Sequence, residues 1–511
     1  MFIPSPRRLF RPPVVLPLLG LLYVVLSICT ATTTSPVPNE AWFFSPAENL
    51  VHNGHMGTTN LVAQGTWLEG IEKRTYWIPP LHILAQAGWY LLTGAGLGQM
   101  RALSVAWGVL ALVMLYRIGA RLGIGRGAAL LGVALLAVDF RWVLSGSMGR
   151  MDMMCASLGF AGIAAYLQLR LSSLISATLA AHALVAASCL THPCGVVHGI
   201  ALVIITLCLD LQRLNLRLIA LAALPYCVAL AAWGTYILQD PPGFLQQFRG
   251  NISGLASEAG RSTRFSGLLH PWDALRSEIY SRYFEQFGNW GGGRIFGGLQ
   301  MYVLGVYAAA IFAALLNRRQ RFTSTGRALT AATLAVFCVF WLLDGSKASN
   351  YLPHVLPWLM LLAAFGLRRL AAGQLALVSI LVAIVAIGQV TAFSGWVRKN
   401  NLQNETVAAV RYLQIHALPG ERINGGAEFN FFSPASLPFT DDPRLGFLTG
   451  HRPNWIVRSN WYGAWIEASR KRDATFDRYV SHLLERESRE VFHAGRVKIY
   501  RVGPLPTPVL H

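Results

Sequence analysis

Long unbroken apolar runs dominate the pattern of this chain. In its first half they cover Val14–Ala31, Leu103–Tyr116, Ala128–Val138, Met153–Leu169 and Leu216–Leu238. Ile295–Leu316, Ala328–Leu343, Leu352–Leu367 and Leu375–Phe393 follow. The stretch Leu174–Leu209 is long enough for two more, broken at Thr191-His192-Pro193. A bilayer-crossing helix needs roughly 20 mainly apolar residues, so the pattern predicts about eleven spans. Two polar segments lie between runs, at residues 32–100 and 239–294. The first contains a Trp- and Leu-bearing stretch ending at Gly94, read as an interfacial helix with Trp77, Trp89 and Tyr90 at headgroup level.

After Ser394 the pattern changes. Val407, Val410 and Leu413 share one face of a predicted helix near Glu405–Ala417. Trp455–Val457 and Val497–Val502 read as strands, and Phe476–Glu487 as a helix. The predicted fold is mainly α: a membrane helical bundle over residues 1–395, then a small extramembrane α/β domain over 396–511.

Composition sharpens this. Of 511 residues 54% are hydrophobic and only 13% charged, where soluble domains carry about 25% charged residues. The net charge of +19 would suit a nucleic-acid partner, but its placement excludes one. With Arg7, Arg8 and Arg11 cytoplasmic, alternate threading puts Arg117, Arg121, Arg126, Arg170, Arg213 and Arg217 on the same side. The Arg318-Arg319-Gln320-Arg321 run and Arg368-Arg369 join them, with Asp210 the one acid there. This positive-inside bias encodes orientation. The seven cysteines lie in or beside apolar runs and form no C-x-x-C signature, so they read as core filler. Small residues at Cys29-Thr30-Ala31 leave a cleavable signal peptide open, but the number of later spans favours an uncleaved anchor.

Ionisable residues at the outer span edges carry the candidate chemistry, because a charge there is costly without a partner or a role. Glu40 follows the first span within Val37-Pro38-Asn39-Glu40-Ala41-Trp42-Phe43-Phe44, and Asp152 opens the fourth behind Arg150. Each also has an ordinary reading. Glu40 alone is a solvated acid, Asp152 a helix cap paired with Arg150, Lys347 a snorkelling lysine and His192 a helix-break histidine. Together they supply an acid to deprotonate a hydroxyl and, with Arg282, cations to hold a phosphate. Such cations stabilise the charge that a departing phosphate gains. His52 and His55 near Glu48 lack the Cys or Asp-x-Asp company of a metal site, so no metal cofactor is expected.

An ordered set of motifs strengthens the constellation. An acid after span one and a Pro79-Pro80-Leu81 segment precede Arg101-Ala102-Leu103-Ser104. Gly149-Arg150-Met151-Asp152, Leu190-Thr191-His192-Pro193 and Ser346-Lys347-Ala348-Ser349-Asn350-Tyr351-Leu352-Pro353 follow in order. From Arg11 to Leu367 this resembles the GT-C membrane glycosyltransferases that use polyprenyl-phosphate sugars, such as dolichyl-phosphate-mannose protein mannosyltransferases and lipid A aminoarabinose transferases. The resemblance implies an inverting hexosyl- or pentosyltransferase, with a lipid-linked donor and a lipid, glycan or protein acceptor. It implies Glu40 and Asp152 as the catalytic carboxylates, either of them the general base, with Glu40 the first choice and Asp152 a partner that orients acceptor or phosphate ligands. Arg150, Lys347, Tyr351, His192 and Arg282 would serve the donor phosphate. The family's Asp-Glu is Asn39-Glu40 here, and its Lys-Gly-Pro lysine is replaced by His192.

Two other classes remain: a transporter or flippase, which commonly shows inverted repeats and midplane helix breaks, and a scaffold with a receptor-like outer domain. No repeat is visible, and the acids sit at the outer edge. Sequons at Asn251 and Asn404 would matter only in a eukaryotic lumen. The Ala/Leu/Arg-rich composition and the absence of cysteine from the outer segments point to a bacterial inner membrane. The arginine asymmetry makes the N-terminus cytoplasmic and the C-terminal domain periplasmic. Reporter fusions after Arg319 and after Asn404 should therefore report opposite sides, and agreement between them would refute the shared outer face of Glu40 and Asp152.

Overall fold

The computed structural model describes residues 12–258, 266–285, 294–316, 323–371 and 374–503, so Arg7, Arg8, Arg11 and the Arg318–Arg321 run lie outside the described residues. Among the described residues ten helices are long and apolar enough to cross a membrane, and a bent pair makes an eleventh. The bend, 66° between Arg126–Ala137 and Phe140–Gly146, falls at Asp139. One Asp139 oxygen accepts the N–H groups of Arg141 and Trp142 at 3.0 and 3.1 Å, starting a new helix. The other accepts from Tyr307 and Gln389 on later spans. An acid that must be satisfied inside an apolar run thus breaks the helix and ties three segments together.

Helices Met151–Leu169 and Leu352–Ala371 run through the middle of the bundle, where Trp142, Phe160, Trp358 and Leu361 belong to one continuous core. Helices Pro12–Ala31 and Leu216–Ile237 lie at the periphery and expose Leu18, Leu21, Val228 and Leu230. Such an apolar exterior suits lipid tails. The chain is an integral multi-pass membrane protein.

At the end of the bundle that carries the C-terminal domain, a helix spans Pro80–Thr93 where the sequence predicts an interfacial one, with Leu84, Leu91 and Leu92 exposed. Of the aromatics expected at headgroup level, Tyr90 is instead buried and Trp77 lies before the helix, stacked on Phe43. A second outer helix, Pro38–Asn53, escapes the hydrophobic pattern because both its faces are covered. Pro38 suits its first turn, Glu40 reaches back to the Val37 N–H at 3.1 Å, and Gly54 at φ 72° ends it. Its aromatics pack on protein: Phe43 stacks on Trp77 at 5.1 Å, and Phe44 meets Phe431 edge-on at 5.2 Å.

Glu40 is fully buried. Arg101 clasps it through two bonds of 2.9 Å and donates a third N–H to the carbonyls of Ala31 and Thr34. Glu40 also accepts the Gly149 N–H at 2.8 Å. One ion pair therefore joins the end of the first span, the outer helix, the second span and the turn before Arg150.

The C-terminal domain folds around a mixed five-stranded sheet of order β2-β1-β3-β5-β4. Its strands are Ile423–Asn424 (β1), Phe439–Thr440 (β2), Trp455–Arg458 (β3), Ser488–Ala494 (β4) and Val497–Val502 (β5). β1 pairs in parallel with β2 and β3, while β5 runs antiparallel to β3 and β4. The predicted first helix is Ala408–His416 behind a π turn at Leu402–Val407, and the predicted last one is Ala474–Ser481 followed by another π turn. β1 and β2 are two residues each and β4 is mostly polar, so the sequence pattern gave no sign of them. The domain is bonded to the membrane module: Leu402 N–H donates to Thr33, and Trp42 Nε1 donates to Asp441 at 2.9 Å.

Two outcomes follow from these junctions. Arg101→Met leaves Glu40 buried without its cation, and breaking such a pair costs about 3–5 kcal/mol. Thermal unfolding in detergent should fall accordingly, with partial recovery in Arg101→Met/Glu40→Gln; an unchanged midpoint would remove the pair from this role. Burial raises the Asp441 carboxyl from its ordinary 3.8 to about 7, against the Trp42 and Ala427 donors, and raises Glu428 as well. Because folding raises both proton affinities, their contribution is complete below about pH 4 and is lost as pH rises through about 7. Limited proteolysis should therefore release the domain faster near pH 8 than near pH 5, and Asp441→Asn should flatten the difference. Equal rates at both values in the unaltered protein would contradict this.

Candidate active site

At the end of the bundle that carries the C-terminal domain, two of the cavities share Asp344 as a wall. The first holds about 440 Å³ between apolar helix faces that include Val196, Val339 and Leu343. Three helices begin at its rim: Met151–Leu169 behind Arg150, Gly195–Asp210 behind Cys194, and Leu352–Ala371 behind Tyr351. A helix start presents unpaired N–H groups and a partial positive charge, each worth roughly 0.3–1 kcal/mol to a nearby anion. Their meeting in one cavity is a consequence of threading. Each of these spans starts at the same end of the bundle, so each contributes its N-terminus there.

Of the residues predicted from sequence, Arg150, His192 and Tyr351 line this cavity. Arg150 packs over Phe43 at 5.2 Å, bonds Asp152 through Nε at 2.8 Å, and has Nη1 without a partner. Asp152 is buried, with Oδ2 on Arg150 and Oδ1 without a partner. The His192 ring lies 5.4 Å from Tyr351. Asn39 faces the same cavity, whereas its neighbour Glu40 does not. Both Glu40 oxygens are already engaged, one by Arg101 and the Gly149 N–H, the other by Arg101 and the Val37 N–H. The expected base thus has no oxygen left for an acceptor hydroxyl. One residue along a helix turns the side chain by about 100°, which is why Asn39 and Glu40 point to different places.

Lys347 and Arg282 lie apart from this cavity. Lys347 Nζ is 3.1 Å from Glu278 and donates to the Phe340 and Trp341 carbonyls. Burial lowers its proton affinity, Glu278 counteracting. Arg282, fully buried, bonds Glu278, Asp344 and the Ala348 carbonyl. The four charged groups compensate one another and hold the Asp344–Ala348 turn, in which Lys347 adopts φ 48°. Lys347 lines the second cavity, about 650 Å³ and polar, with His270, Asp273, Ser281 and Asn350.

The sequence reading missed four participants. Asp344 sits at a span end and was visible there by the argument applied to Asp152. Asn251, bonded to the Trp77 carbonyl at 2.7 Å, and Glu278 are ordinary loop residues until the fold places them. His82 of the interfacial helix is buried with both ring nitrogens unpartnered. Burial pushes it down to about 4, with Asp152 pulling the other way, so it stands neutral close to that carboxylate.

Comparison with protein-family models and with curated proteins returns no match. Solved structures do match. ArnT from Cupriavidus metallidurans bound to undecaprenyl phosphate aligns with TM-score 0.61 at 16% identity, over 96% of this chain and 99% of that one. The Archaeoglobus fulgidus oligosaccharyltransferase in its apo form aligns with TM-score 0.57 at 12% identity, over 96% of this chain and 75% of that one. The same organism's oligosaccharyltransferase AglB, in complex with an inhibitory peptide and a dolichol-phosphate, aligns with TM-score 0.53 at 12% identity, over 99% and 76%. The chain has the GT-C fold that these membrane glycosyltransferases share, as its motif order implied.

Proposed function

We propose that this protein is an inverting glycosyltransferase that moves a sugar from a polyprenyl-phosphate donor to an acceptor on the outer face of the membrane. One observation carries the reading: Arg150 and three helix starts border an apolar cavity at one end of the helical bundle. A lipid phosphate needs that combination, anion-stabilising groups at one end and a dry path for the chain at the other. The structural neighbours bound to undecaprenyl phosphate and to dolichol-phosphate support the donor class.

Asp152 is the general base in this proposal, because it alone of the two predicted carboxylates keeps an oxygen without a partner. It takes the acceptor proton as the hydroxyl oxygen attacks the anomeric carbon. The phosphate leaves toward Arg150, and His192 and Tyr351 position it. Neutral His82 stands by Asp152 as a second proton acceptor. Glu40 acts through position, holding Gly149 and hence Arg150. Lys347 and Arg282 shape the wall between the cavities, and the polar cavity takes the acceptor. The proposal covers a hexose or a pentose as sugar and a lipid, a glycan or a protein as acceptor, in a bacterial inner membrane with a periplasmic active face, the setting proposed from composition.

Transfer by the purified protein from a radiolabelled polyprenyl-phosphate sugar tests the whole reading, since a transporter or flippase would give no product. Within that assay Asp152→Asn should lower turnover about 10²–10⁴-fold in protein that remains folded, and a full rate would exclude Asp152 as base. Arg150→Gln removes a charge-assisted contact worth about 1.5–3 kcal/mol, which should raise the donor Michaelis constant about 10- to 100-fold. Lys347→Ala should change that constant less; the reverse order would return the phosphate to Lys347.

A further inference from the structure

The expectation of no metal site rested on spacing along the chain, and folding changes the spacing. His52 and His55 join no cluster, but elsewhere three metal-type ligands converge. Among the described residues, the ligating atoms of His192, Cys194 and His354 all lie within 4.8 Å of one another. We propose that these three residues bind a divalent ion of the zinc type at the inner wall of the 440 Å³ cavity.

Two imidazoles and one thiol form a borderline-soft donor set, which suits zinc and disfavours magnesium or calcium. The supporting groups also fit. His354 is fully buried, and its Nε2 has no partner. Its Nδ1 lies 3.0 Å from Nε2 of His198, also fully buried. With the His354 Nδ1–H donating to His198, the Nε2 lone pair is left for a metal. Metal-bound histidines use this arrangement, a second residue fixing the tautomer through the far ring nitrogen.

Two glycines make the cluster sterically feasible. A Cβ at Gly159 would stand 2.1 Å from the His198 ring, so only glycine leaves room for the brace. A Cβ at Gly195 would stand 2.4 Å from the Cys189 nitrogen. Its absence lets a new helix start directly after the break at His192 and sets Cys194 beside that ring. At present His192 Nδ1 accepts the Cys194 N–H at 3.1 Å. Ligation through Nδ1 gives up that bond, and ligation through Nε2 requires the ring proton to move to Nδ1. In either case the metal replaces the hydrogen bond, and the Cys194 thiol releases its proton as it becomes a thiolate ligand.

His192 and Cys194 also line the cavity. Three protein ligands leave a tetrahedral ion one open position, and on this geometry it opens toward the cavity. There it would take a water or an anionic oxygen. Metal occupancy stands apart from the glycosyl-transfer reading, because its measure is bound metal.

The full-length protein, purified in detergent without chelator or polyhistidine tag, is equilibrated with zinc chloride, desalted and analysed by elemental mass spectrometry. About one zinc per chain is expected for a three-ligand site, with none retained by Cys194→Ser or His354→Ala. His198→Ala should weaken binding about 10- to 100-fold, and His52→Ala/His55→Ala should not alter it. Cobalt provides a second measure: a thiolate-to-cobalt absorption band in the unaltered protein, absent in Cys194→Ser, a near-isosteric change that leaves the fold intact. No zinc in the unaltered protein, or equal zinc and an unchanged cobalt band in Cys194→Ser, would show a hydrogen-bonded histidine cluster only and overturn the proposal.

Discussion

The buried pair of Glu40 and Arg101 is the constraint on which the outer half of the molecule depends. A carboxylate and a guanidinium can both leave water only if their geometry is good and their remaining bonding positions are filled. Here the filling is done by backbone from four places: Ala31, Thr34, Val37 and Gly149. Desolvation makes the pair intolerant of a lost partner, so those four backbone segments are fixed relative to one another. The turn at Gly149 sets Arg150 at the cavity rim, and Arg150 in turn holds one oxygen of Asp152.

Charge is handled the same way on the far wall. Lys347 and Arg282 look from sequence like cations awaiting a phosphate, but Glu278 and Asp344 neutralise them within a few ångströms. A buried cation with an acid partner offers little to an anion, since its field is already used. Arg150 also has an acid partner, Asp152 in the first turn of its own helix, but it keeps one donor without a partner, and the helix starts at Gly195 and Leu352 carry no carboxylate in their first turns. The cavity's attraction for an anion thus rests on Arg150 and on backbone dipoles, which do not lose their charge by giving up a proton near neutral pH.

The C-terminal domain is joined to this arrangement through Trp42, which stands two residues beyond Glu40 in the same helix. Trp42 donates to Asp441 and packs at 5.3 Å on Trp461, which also lines the polar cavity. The helix that carries the central ion pair therefore also carries the domain contact. The domain thus contributes Trp461 to the wall of the second cavity.

The sequence by itself determined the membrane class, the number of spans, the placement of Glu40 and Asp152 at one end of the bundle and the GT-C architecture. Each depends on local quantities: run length for a span, the alternation of spans for the end at which a residue falls, and motif order for the family likeness. Even the bend at Asp139 begins as a local break in an apolar run. What the sequence left undecided was which polar residues would find one another. Asn39 and Glu40 are adjacent, yet one faces the cavity and the other is enclosed by an arginine 61 positions away. His198 and His354, 156 residues apart, meet only because their two spans both pack on the span Met151–Leu169, where Gly159 leaves space for the His198 ring. Burial, pairing and metal-ligand geometry are properties of contacts between distant segments, and periodicity along one segment carries no record of them. The tertiary structure alone decided that Glu40 is a strut, that Asp152 keeps an open oxygen, and that the break between the fifth and sixth spans brings a thiol and two imidazoles together.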